Sequence, residues 1–219
     1  MTDDSGPLRR ALKSVIDAHE VLAQFHKEVG ALFRIVDEEL ADPATEIRFE
    51  ALYPQYIVRD IPTLLRAPEG WVSEWLGRFY VRIVDDPTVA AAQEPAALCF
   101  RSAFLWIAER AEPKMAAGFA LPECWFGVAD AGWGSKAKND WDAARYGFWQ
   151  LDTTKVAPGD QWSRGDFPAN TGKFGEGAFF WARRVPLDRL LGEEQVRTLV
   201  TNPLRDKYAE VFPEDIRKE

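Results

Sequence analysis

Histidine and cysteine are the scarcest reactive residues in this sequence, with two of each in 219 residues. Cys99 and Cys124 form no CxxC pair and no Cys/His cluster, which argues against a disulfide scaffold or a structural zinc site. Each cysteine lies in an apolar, strand-like stretch and reads as a small buried hydrophobe. The serine-nucleophile pattern GxSxG and the phosphate-loop pattern GxxxxGK[ST] are absent. No stretch reaches the ~18 uncharged apolar residues of a membrane span. Met1–Pro7 has neither a basic nor an apolar segment, so a cytoplasmic location is expected, without membrane association. A basic excess is missing too: 35 acidic residues against 27 basic ones leave a net charge of −8. That balance argues against a nucleic-acid partner, whose phosphates would call for surplus Lys and Arg. The carboxylates are also too sparse for a nucleic-acid mimic.

Apolar residues, by contrast, are plentiful. They form 47% of the chain and charged residues 28%, enough to bury a core without metals or cross-links. The clearest element comes first. Ser5-Gly6-Pro7 offers a helix cap with Pro at the first helical position, where its missing N–H costs nothing. Leu8, Leu12, Val15, His19, Leu22, His26, Val29, Phe33, Val36 and Leu40 then follow at alternating spacings of four and three. This is the a/d register of a coiled-coil seam. Ile16, Phe25 and Leu32 widen the apolar face, and Asp42-Pro43 ends the helix. The spacing therefore predicts residues 1–42 as a long amphipathic helix that dimerises or lies across a sheet.

Residues 43–219 are expected to complete one α+β unit: an antiparallel sheet of about five strands with a C-terminal helix packed on it. The expected strands are Ile47–Leu52 (short), Trp75–Ile83, Leu98–Ile107, Cys124–Ala129, Tyr146–Asp152 and Ala178–Val185. In Trp75–Ile83 the residues Trp75, Phe79, Val81 and Ile83 alternate with Arg78 and Arg82, the pattern of a half-buried strand. Turn-rich connections, without intervening helices of 10–15 residues, favour antiparallel pairing. An amphipathic helix is expected from about Glu193 to Phe212, interrupted near Asn202-Pro203.

Chemistry is thinly represented. His19 and His26 share a helix face but stand two turns, about 10 Å, apart, so one chain cannot bring them to a common metal. They read as polar interruptions of the seam that set register or oligomeric state. Gly172–Gly177 is glycine-rich but precedes a strand, not a helix N-terminus. Asp85, Asp86, Glu109, Asp130 and Asp152 close strands, where Asp usually forms turns. Their convergence would be needed for a metal-dependent hydrolase or nuclease, the alternative reading. Another alternative is a small-ligand pocket lined by Trp106, Trp149 and Trp181.

Nine tryptophans stand out. Trp133 and Trp141 flank a polar loop, and Trp162 lies in another; such rings act as interface anchors or cover an open sheet face. The expected function is a non-enzymatic protein-interaction module: an adaptor, an inhibitor or a subunit of a larger assembly. Its expected partner is another protein or a second copy, and no cofactor, metal or catalytic residue is assigned. The interface residues expected from sequence are His19, Leu22, His26, Val29, Phe33, Trp133, Trp141 and Trp162.

Overall fold

The computed structural model describes residues 5–51, 75–83, 101–108, 123–130, 156–157, 159–167 and 177–216. Helix α1, Ser5–Leu40, is a single 36-residue element, about 54 Å long at 1.5 Å per residue. It stops where the sequence predicts. Asp42 takes up the chain reversal: its carboxylate accepts the N–H of Ala44 at 2.9 Å, and its carbonyl accepts the N–H of Thr45 at 3.1 Å.

The strands are β1 (Phe49–Ala51), β2 (Trp75–Arg82), β3 (Arg101–Ala108), β4 (Glu123–Asp130), β5 (Ser163–Asp166) and β6 (Phe179–Pro186). All pairings are antiparallel, in the order β1-β2-β3-β4-β6-β5. Among the described residues six strands thus stand, where about five were expected for the chain. The expected strand at Tyr146–Asp152 lies outside the described residues. β5 begins inside the Trp162 loop expected from sequence, and Ser-Arg-Gly-Asp has little strand propensity of its own. Tertiary packing makes it a strand. Gly165 sits directly beneath the Phe180 ring of β6, where a Cβ would come within 2.2 Å of that ring.

After β6 come a 3-10 turn, Leu187–Arg189, and α2, Glu193–Val196. A π-helical turn, Arg197–Thr201, leads directly into α3, Asn202–Val211. The expected interruption near Asn202-Pro203 is therefore a change of helical register, not a break. Pro203 has no N–H to give the ladder, and the wider turn lies just before it. Helix α4 spans Pro213–Ile216.

The core joins the second half of α1 to one face of the sheet and to the C-terminal helices. Val29, Leu32, Phe33, Val36 and Leu40 meet Phe49, Tyr80, Leu105, Phe126 and Val128 there, together with Val200, Leu204, Tyr208 and Phe212. The Phe49 and Tyr208 rings meet edge-to-face at 5.0 Å. Each fully buried aliphatic or aromatic side chain contributes about 1.5–3 kcal/mol.

The direction of β2 differs from the simple expectation. Tyr80, flanked by Arg78 and Arg82, is fully buried, and Arg82 is buried beside it. The arginine-bearing face is the one turned toward α1. A face carrying charge can be buried because α1 supplies matching groups. Arg78 pairs with Asp37 and lies 5.2 Å over the Phe33 ring, while the Tyr80 hydroxyl donates to Asp37 at 3.0 Å.

A candidate protein-interaction surface on the first helix

The heptad seam of α1 is continuous in sequence but divided in space. From Val29 onward its residues enter the chain's own core. Phe25 and Leu22, one and two turns earlier, are half-buried, and before them the helix stands free: every residue from Arg9 to Val21, on all sides, is exposed. Leu12 is 55% exposed, Val15 58%, Ile16 58% and Val21 68%. Leu12, Val15 and Ile16 form one stripe at helical spacing, and Val21 lies off it. Three large aliphatic side chains on one face keep a sizeable apolar area in water, at roughly 25 cal/mol per Å².

The buried half is anchored by a polar layer as well as by packing. Arg197 grips the Glu39 carboxylate with two bonds, Nε to Oε2 at 2.8 Å and Nη2 to Oε1 at 2.5 Å. That carboxylate holds the guanidinium above its ordinary pKa. Arg205 reaches the C-terminus of α1 from α3. It donates to the backbone carbonyl of Glu39, which also accepts the N–H of Asp42 at 3.3 Å, and at 3.0 Å to that of Ile47. Burial lowers the Arg205 pKa, opposed by Glu39 and Asp42. The end of α1 is thus clamped while its beginning is not.

The residues expected at an interface separate accordingly. His19 and His26 are exposed, and Leu22 is half-buried. Val29 and Phe33, each 3% exposed, belong to the chain's own core, which removes them from any partner-facing set. The sheet covers them because the α1 face is widest here, with Phe25, Leu32 and Ile35 beside the seam. Trp162 is also engaged internally: its ring meets Phe126 edge-to-face at 5.6 Å and lies 5.7 Å from the Lys207 ammonium. Lys207, itself buried, sits 3.9 Å over Trp181 and pairs with Glu210 at 2.7 Å. Trp133 and Trp141 lie outside the described residues.

No family model, curated protein or solved structure matches this chain. Function therefore rests on the geometry alone. Of the strand-end acids, Asp130 ends β4, while Asp85, Asp86, Glu109 and Asp152 lie outside the described residues. Among the described residues no group of three or more His, Cys, Asp and Glu could hold a metal. No described helix is long and apolar enough to cross a membrane. Trp149, from the suggested pocket, is likewise outside the described residues, and Trp181 is occupied by Lys207.

Sequence reasoning placed Leu12 and Val15 in the seam but did not single them out as the exposed part. One signal could have done so. Before residue 25 the apolar face is narrow and borders Arg9, Arg10, Lys13, Asp17 and Glu20, whereas after it large apolar residues crowd together. A globular body needs the wider face.

Proposed function

We propose that this protein is a non-enzymatic interaction module of the cytoplasm, serving as an adaptor, an inhibitor or a subunit of a larger assembly. It engages its partner through the first half of α1. The observation that carries this reading is the solvent exposure of Leu12, Val15 and Ile16 on one stripe of a helix whose far end is clamped to the C-terminal helices. Amphipathic helices draw most of their stability from covering the apolar face, so a free apolar stripe of this kind favours association. Trp133 and Trp141 are proposed as secondary anchors.

Native mass spectrometry of the protein purified gently from its own host tests the reading. The expected result is an assembly, homomeric or with another protein, that dissociates when Leu12 and Leu22 are both replaced by Asp. A protein that remains monomeric and unaccompanied, or an assembly indifferent to those substitutions, would refute it.

A further inference from the structure

We infer that the occupant of the exposed stripe is a second copy of the same chain, docked antiparallel with its two-fold axis near Asp17. This rests on the interaction reading above and specifies its partner. Three observations carry it.

The first is length. The seam positions that stay clear of the chain's own core run from Leu8 to His26, just under three heptads, the length of a short helical pair. With the axis at Asp17, Ser5 of one copy comes opposite Val29 of the other. The helix therefore begins where the other copy's helix enters its own core. Each exposed half covers the other from end to end, and neither overhangs onto a surface that is already filled.

The second is the pairing of layers. In an antiparallel pair an a position faces a d position. The same register sets Leu12 against Leu22 of the second copy and Val15 against His19. Ile16 meets its own counterpart on one flank of the axis. Ala18 meets its counterpart on the other flank, where a small side chain allows close approach.

The third is charge. Lys13 and Glu20 lie on the Ile16 side of the stripe, one turn before and one turn after that residue. Antiparallel docking places Lys13 opposite Glu20 of the second copy, twice by symmetry. In a parallel pair the two-fold axis runs along the helices and sets the Ile16 flank of one copy against the Ala18 flank of the other, so Lys13 and Glu20 would not face each other.

Sedimentation velocity on the full-length protein at tens of micromolar is the first measurement, with the result expected to be a dimer. Leu12→Asp should raise its dissociation constant at least ~100-fold, because the substitution strikes both symmetric layers. Near-UV circular dichroism of that variant should be unchanged. Oxidative cross-linking then reads the orientation. Ile16→Cys should yield a dimer joined through position 16, found by peptide mass spectrometry, while Leu12→Cys should not join through position 12. A monomer overturns the inference, as does a dimer indifferent to Leu12→Asp or one joined through position 12. If the monomer instead forms a complex with another protein that Leu12→Asp breaks, the interaction reading survives and only the identity of the partner falls.

Discussion

Asp37 shows how a single residue determines which face of a strand is buried. It lies in the buried half of α1, yet it is what permits Arg78 and Tyr80 to face the core. Replacing it with Ala leaves a guanidinium and a phenol without their acceptor, at an expected cost of about 2 kcal/mol. Tyr80→Phe should cost about 1 kcal/mol, and the double variant less than the sum of the two, measured by urea unfolding. Burial also sets the behaviour of Cys124, whose thiol it pushes well above the ordinary range. The folded chain keeps a proton that the unfolded chain releases above ~8.5. The thiol's contribution to stability is therefore full below that pH and is lost as pH rises. The loss should approach ~1.4 kcal/mol per pH unit for this group, a slope that Cys124→Ala should remove in unfolding curves between about pH 8.5 and 10. The Tyr80 phenol, raised chiefly by the same burial, adds a similar trend above its unfolded value of ~10.

Elements behave differently along their own length. In α1, Phe33 is packed on the sheet, whereas Leu12 stands in water. Phe33→Ala should lower the stability of the fold by about 3–5 kcal/mol. Leu12→Ala in dilute solution should change it by less than ~0.5 kcal/mol, as expected at a surface position. Thermal melts of both variants at low micromolar concentration check the contrast. Equal effects would show that the helix packs along its whole length. The edge strand β5 depends on one glycine. Gly165→Ala would drive a methyl group into the Phe180 ring, at an expected cost of about 1–3 kcal/mol. Adding Phe180→Leu should recover part of that loss, because a smaller side chain makes room for the Cβ.

At the scale of the whole molecule, association couples to stability. If the free half of α1 is covered by a second copy, the melting temperature of the isolated protein should rise with its own concentration, since binding to the folded state adds RT ln(1 + [L]/Kd). Scanning calorimetry over a hundredfold range of concentration checks this. Leu12→Asp should abolish the dependence.

Periodicity by itself determined α1 and its end at Asp42-Pro43, alternation marked β2, and short apolar runs marked β4 and β6, because these patterns are local to each segment. The antiparallel character of the sheet followed from turn-rich connections in the same way. What only the tertiary structure decided is which surfaces meet. Leu12 and Phe33 hold the same a/d register, yet one is exposed and the other buried, because only the half with the wider apolar face packs on the sheet. The alternation of β2 is equally visible from either side, but the partner groups Asp37 and Phe33 lie some forty residues away in the chain and turn its arginine face inward. β5 has no local signal at all; the Phe180 ring and the hydrogen bonds of β6 make it a strand. Contacts between residues far apart in sequence supply energies larger than local propensity, and they are chosen by the whole fold.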